Sequence, residues 1–167
     1  MDTCKICILG DFAVGKTSLV ARFVHNQFSN QYHTSIGIKV DTKELIAPDG
    51  CYLKLAIWDV AGTDTPTELF LRYLRGSSGY VLVADCTRRK TFERALQLRD
   101  AVESQMEGLP FVGLVNKVDL ASEQEIDEAC LSRHREAGDV WIRTSALSGE
   151  HVEDAFHLLA RAIKVQA

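Results

Sequence analysis

Residues 6–24 constrain the fold of this chain more than any other stretch. Ile6-Cys7-Ile8-Leu9 is an apolar run, and Gly10-Asp11-Phe12-Ala13-Val14-Gly15-Lys16-Thr17 fits the pattern G-x-x-x-x-G-K-[ST]. Ser18-Leu19-Val20-Ala21-Arg22-Phe23-Val24 then continues as an amphipathic helix. Strand, glycine-bearing loop and helix in that order are the setting in which this pattern holds phosphates. Gly10 and Gly15 permit backbone turns closed to other residues. The loop N–H groups then converge on phosphate oxygens at the positive end of the helix. Lys16 supplies a point charge for the β- and γ-phosphates, and the Thr17 hydroxyl can ligate Mg²⁺. An ordinary strand-to-helix turn needs its glycine, but not Lys-Thr in register with both flanks.

A second motif narrows the nucleotide. Pro110-Phe111-Val112-Gly113-Leu114-Val115 is a short apolar run ending in Asn116-Lys117-Val118-Asp119. A carboxylate at Asp119 can accept hydrogen bonds from both N1–H and the exocyclic amine of guanine. Adenine offers no such pair of donors, so the carboxylate would be left unpaired against it. Alone, N-K-x-D could be a polar loop; its signal comes from the phosphate loop upstream.

These residues resemble the Ras superfamily of small GTPases, nearly end to end, in a Rab-like or Ras-like form. Trp58-Asp59-Val60-Ala61-Gly62 is similar to the family's W-D-T-A-G segment. The resemblance implies that Asp59 reaches Mg²⁺ through a water and that the Gly62 N–H senses the γ-phosphate. Thr144-Ser145-Ala146-Leu147 resembles the S-A-K loop, whose backbone meets the guanine carbonyl. Phe28 falls where the family places an aromatic ring on the base, Tyr32 where a tyrosine covers the phosphates, and Ser35-Ile36-Gly37 at the first switch. The short link after Asp119 leaves no room for a Rho-type insert. The implied nucleotide site is Gly10, Asp11, Phe12, Ala13, Val14, Gly15, Lys16, Thr17, Ser18, Phe28, Tyr32, Ser35, Gly62, Asn116, Lys117, Asp119, Ser145, Ala146 and Leu147. The implied metal site is Thr17, Ser35 and Asp59, and the implied catalytic group is Lys16, Gly62 and Thr63. GTP or GDP with Mg²⁺ is the expected ligand.

Departures from the family pattern bear on mechanism. Thr63 stands where the family carries a water-positioning glutamine. Phe12 stands where Gly or Ser is usual beside the γ-phosphate, and Ser35 replaces the switch threonine. Leu147 replaces a lysine whose stem covers the base, and Val60 replaces a threonine. Nucleotide binding is expected to survive these changes. Orienting the attacking water and admitting an arginine finger both depend on altered positions.

At 167 residues the chain is expected to form one G domain, residues 1–167. Apolar residues make up 46% and charged residues 25%, as in soluble globular proteins. A net charge of −4 with mixed signs gives no basic surface for nucleic acid. There is no apolar run long enough to span a bilayer. Asp2 follows Met1 and no C-a-a-X box ends the sequence, so no lipid anchor is expected in this chain. Either the protein works without one, or these residues are a trimmed G domain. A cytoplasmic monomer is expected, with recruitment to a membrane through a partner as the open alternative. Cys4-x-x-Cys7 has a metal-like spacing, but residues three apart on a strand face opposite ways. Cys51, Cys86 and Cys130 add no framework, and reduced thiols are the simple reading. His151 and His157 read as solvated or half-buried helix residues rather than ligands.

Alternating apolar runs and amphipathic stretches predict an α/β fold with a six-stranded, mostly parallel sheet, one antiparallel edge strand and helices on both faces, which the resemblance implies to be a P-loop G domain. Strands are predicted near 4–10, 38–47, 51–58, 79–85, 110–115 and 140–144. Helices are predicted near 16–25, 66–75, 88–106, 123–137 and 150–164. Ile38 to Lys43 alternates as an edge strand should, and Pro48-Asp49-Gly50 turns it back on the next strand. Ser122 with Glu125 reads as a capping box for the fourth helix. Gly10, Asp59, Asn116 and Ser145 each fall at or just past a strand end, where doubly wound sheets bind ligands. A GTP-driven switch is the leading reading, with residues 28–40 and 60–75 meeting effectors, exchange factors or activators. A GTP-binding scaffold with negligible hydrolysis is the alternative.

Overall fold

The computed structural model describes residues 2–29, 37–47, 49–61 and 67–167. Its elements run β1 (Asp2–Gly10), α1 (Lys16–His25), β2 (Ile38–Ile46), β3 (Tyr52–Val60), α2 (Thr67–Leu74) and β4 (Gly79–Asp85). They continue as α3 (Arg89–Gln105), β5 (Phe111–Asn116), α4 (Glu128–Glu136), β6 (Trp141–Arg143) and α5 (Val152–Gln166). The six strands form one sheet in the order β2-β3-β1-β4-β5-β6. Only the β2–β3 pair is antiparallel.

The alternation of side chains along each strand divides the core in two. Ile6 and Ile8 of β1 join one cluster, while Cys7 and Leu9 join the other. The first cluster packs α1 and α5 onto the sheet, and stacks Phe23 on Phe156 with ring centroids 4.1 Å apart. Such a pair adds about 1 kcal/mol beyond the area it buries. The second cluster packs α2, α3 and α4 on the opposite face. β4 is buried along its whole length, which is why it reads as a nearly unbroken apolar run. Gly113 of β5 lies under the Trp141 ring, and a Cβ there would come within 2.4 Å of the indole. Cys4 and Cys7 lie with opposite clusters, as the strand spacing predicts. Burial pushes the Cys86 thiol up to about 11, so it stays protonated at neutral pH.

Two details differ from the sequence reading. Ser122 does not cap α4: residues Ala121–Glu123 form a short 3-10 turn, and α4 starts at Glu128. Its cap is Asp127, whose side chain accepts from the Cys130 N–H at 2.7 Å. Glu125 instead accepts from the Arg89 N–H at 2.8 Å, at the start of α3. A carboxylate satisfies an orphan helix N–H equally well from a distant element. His151 precedes α5, in a left-handed turn with φ 55°, rather than lying within it.

The sheet order reverses at β1. From β1 the chain passes outward to β3's side of the sheet, and from β3 it crosses back to β4. A crevice opens at the carboxyl ends of the strands at such a reversal. The loop from Gly10 to Gly15 lies there, with Asp59 at the penultimate position of β3 and Asn116 at the end of β5.

Candidate nucleotide-binding site

The loop after β1 is shaped by bonds to its carbonyls. Arg88 donates from Nη2 to the Phe12 carbonyl at 2.7 Å. Lys117 donates from Nζ to the Ala13 carbonyl at 2.7 Å, and Asn116 from Nδ2 to the Val14 carbonyl at 3.0 Å. In a trans peptide the carbonyl and the following N–H point opposite ways. Three outward carbonyls therefore aim the N–H groups of Ala13, Val14 and Gly15 inward. Left-handed backbone at Ala13 (φ 58°) and Gly15 (φ 100°) gives the curvature of an anion-binding nest. Gly15 is also the N-cap of α1, and among the described residues no side chain caps that helix. Its positive end faces the same concavity.

Lys16 lies within the loop, 7% exposed, with Nζ on the Gly10 carbonyl at 3.1 Å and the Asp11 carbonyl at 2.9 Å. Burial lowers its pKa to about 8, although Asp59 and Asp11 pull it back upward. An anion bound in the nest would restore the ammonium charge that burial opposes.

Thr17 donates its hydroxyl to Asp59 Oδ2 at 2.5 Å. Burial raises the Asp59 pKa, with the Thr17 hydroxyl and Lys16 acting against the rise. Asp59 Oδ1 is buried without a hydrogen-bond partner among the described residues. A buried carboxylate oxygen left unpaired beside a hydroxyl is a poor protein core but a good oxygen donor set for a hard cation. Thr17 and Asp59 thus fit the Mg²⁺ that the sequence implies. Ser35, the third expected participant, lies outside the described residues, as do Tyr32, Gly62 and Thr63.

The residues expected to read the base meet on the other side of the loop. Asn116 is 1% exposed, and its Oδ1 accepts from the Thr144 hydroxyl and the Ala146 N–H, both at 3.2 Å. It thereby ties the loop after β6 to the loop after β1. Ser145 donates its hydroxyl to Asp119 Oδ1 at 2.7 Å and accepts from the Ser148 N–H at 3.1 Å. Asp119 is exposed at the rim, with its carboxylate oriented by that bond. Ser18 follows Thr17 in the first turn of α1, Phe28 is half-buried against the α1–α5 cluster, and Leu147 is 45% exposed.

Three supporting residues escaped the sequence reading. Arg22 of α1 donates from Nε to the Ala146 carbonyl at 2.8 Å and from Nη2 to the Leu147 carbonyl at 2.6 Å, bracing the base loop. Asp85, 2% exposed, takes Lys117 Nζ at 2.9 Å and Arg88 Nε at 3.1 Å on the same oxygen. Burial opposes the Asp85 charge, but hydrogen bonds from Thr87 and Lys117 outweigh it and hold the carboxyl below its usual range. A signal existed for Asp85 alone: a charge closing an otherwise apolar strand. Arg22 and Arg88 bond to backbone carbonyls, which leave no side-chain pattern to find.

A loop curved as an anion nest, a carboxylate at its rim and a sheet in this order match a G domain of the P-loop class. The sequence profile of the Ras family matches residues 5–165. Ras-related protein Rab-7a of Dictyostelium discoideum is 38% identical, over 97% of this chain and 83% of the relative. Ras-related protein Rab7 of Drosophila melanogaster is 36% identical, over 98% and 82%. Ras-related protein Rab-13 of Canis lupus familiaris is 34% identical, over 98% and 81%. The chain belongs to the Ras family and is Rab-like within it. Its general class of function is that of a GTP-binding molecular switch with GTPase activity, using guanine nucleotide and Mg²⁺. Proteins of this class typically meet exchange factors, activators and effectors through their switch regions.

Proposed function

We propose that this protein is a guanine-nucleotide switch that binds GTP or GDP with Mg²⁺, hydrolyses GTP slowly and resides long in the triphosphate state. The observation that carries this reading is the joining of two distant motifs on one loop: Lys117 and Asn116 bond the carbonyls of Ala13 and Val14. A base held at Asp119 and phosphates held at Ala13 to Gly15 would thus be bound by one connected structure.

Thr17 and Ser35 would hold Mg²⁺ directly, with Asp59 behind a water. The metal would neutralise phosphate charge. Lys16 would bind the terminal phosphates, Phe28 and Leu147 would flank the base, and Asp119 would read its donor edge. Residues 28–40 and 60–75 would respond to the γ-phosphate and present the surface for partners. The far end of the second segment is anchored, so a response would be confined to the residues before it. Lys5 Nζ donates to the carbonyls of Tyr73 at 2.5 Å and Arg75 at 2.9 Å, so the end of α2 is fixed to β1. We propose that the protein acts in the cytoplasm as a monomer, with recruitment to a membrane through a partner as the alternative.

Slow turnover follows from two side chains. Thr63 is too short to hold an attacking water and contact a γ-phosphate together. Phe12 is 38% exposed at the phosphate end of the loop, where it would obstruct an incoming arginine. Single-turnover hydrolysis by GTP-loaded protein tests this. Phe12→Gly with Thr63→Gln should raise the rate on the order of tenfold, and beyond either change alone, because the family pattern would set both beside the same attacking water. Rapid hydrolysis by the unaltered protein, or a slower double variant, would contradict it. The scaffold reading, favoured by the same two side chains, requires GTP to bind and persist with no measurable phosphate release.

A further inference from the structure

Of the three residues that turn the loop carbonyls outward, two belong to the N-K-x-D motif. The third, Arg88, belongs to no motif the sequence displays. It precedes α3, and it bonds the Phe12 carbonyl with Nη2 while Nε rests on Asp85 Oδ2. Asp85 is itself fixed: its other oxygen accepts the Thr87 N–H at 2.9 Å and the Thr87 hydroxyl at 2.7 Å. The guanidinium fork therefore spans a buried anchor and one loop peptide.

That peptide has a particular place. The Lys16 tip, which serves the terminal phosphates, rests on the carbonyls of Gly10 and Asp11. Among the three inward N–H groups, that of Ala13 is nearest along the chain to this end. The Phe12 N–H is turned to Asp11 Oδ1 at 2.8 Å. The Phe12 carbonyl thus looks outward to Arg88 and the Ala13 N–H looks inward. Asn116 and Lys117 orient the N–H groups of Gly15 and Val14, deeper toward the helix.

We infer that Arg88 is a positioning residue for triphosphate selectivity: by clamping the Phe12 carbonyl to Asp85, it aims the Ala13 N–H at the terminal phosphate. The inference rests on the proposed nucleotide binding and adds a determinant of GTP over GDP. The diphosphate, held by the deeper N–H groups and by Asp119, depends on Arg88 little.

The test compares affinities for GDP and a non-hydrolysable GTP analogue in excess Mg²⁺, by competition against a fluorescent nucleotide. Arg88→Ala should weaken the analogue about fivefold and GDP less than about twofold, since water partly replaces a bond made by a half-exposed side chain. Arg88→Lys keeps the charge, but a flexible point donor cannot span both partners, so it should behave as the alanine variant. Thermal melting establishes that each variant is folded, and the lysine variant serves if the alanine variant is not. An unchanged ratio, an equal loss of both nucleotides, or a lysine variant matching the unaltered protein would overturn the inference. An unaltered protein that binds neither nucleotide would instead overturn the nucleotide reading, and this inference with it.

Discussion

Asp119→Asn is expected to weaken GDP binding on the order of a hundredfold or more and to shift preference toward XDP. The carboxylate at this position complements two donors on guanine, and the amide presents a donor to one of them. Losing a charged acceptor while setting a donor against one of the two guanine N–H groups costs more than deleting a neutral contact. Xanthine carries a carbonyl where guanine carries its amine, so the amide finds an acceptor there. The substitution should leave the fold intact. Asp119 is exposed, and the Ser145 hydroxyl that donates to Oδ1 at 2.7 Å can donate equally to an amide oxygen. Competition of GDP and XDP against a fluorescent nucleotide, with a thermal melt alongside, measures both parts. Undiminished GDP binding by a folded Asp119→Asn protein would remove Asp119 from the base site.

Gly15→Ala should abolish measurable nucleotide binding and destabilise the protein by about 2–4 kcal/mol. Two costs add at this residue. Its φ of 100° is strained for any residue with a Cβ, and that Cβ would come within 2.4 Å of Asn116 Nδ2. Relieving the overlap means moving the amide that holds the Val14 carbonyl and, through Oδ1, the Ala146 N–H. The phosphate nest and the base loop would be disturbed together. Gly138→Ala separates the two costs. Its φ is 99°, but nothing lies within 4 Å of the added Cβ. It should lower the melting temperature through backbone strain and leave GDP affinity unchanged. Near-normal GDP binding by Gly15→Ala would mean that Asn116 does not couple the two halves of the site.

Much of this architecture was legible because burial leaves a periodic signature. β4 is apolar up to its closing Asp85 and buried throughout; β2 lies at the sheet edge, as its alternation suggests, but its half-buried side carries Asp41, Lys43 and Leu45 while Val40 is exposed, so there the alternation marks the edge and not the inward face. The start of α4 was misread because Ser122-x-x-Glu125 and Asp127-x-x-Cys130 compete as N-terminal signals only a turn apart. The outcome depended on Arg89, whose N–H draws Glu125 to α3 from 36 residues away. The phosphate and base motifs carry their chemistry in residue types, so the sequence alone can propose them. It cannot propose what holds them in place. Arg88 reaches Phe12 across 76 residues and Arg22 reaches Leu147 across 125, and both partners are backbone carbonyls that any residue would supply. For Thr63, Gly62, Ser35 and Tyr32, which lie outside the described residues, the reading stands on the sequence and on resemblance.

The central claim is that one site holds guanine and phosphates together with a cation at Thr17 and Asp59. Its most direct test is the dissociation rate of fluorescent GDP from the purified protein, in Mg²⁺ and in EDTA, chased with either GDP or ADP. Slow release in Mg²⁺, faster release in EDTA, and displacement by GDP but not ADP are the predicted results. Equal competition by ADP, or a release rate indifferent to chelation, would contradict the account.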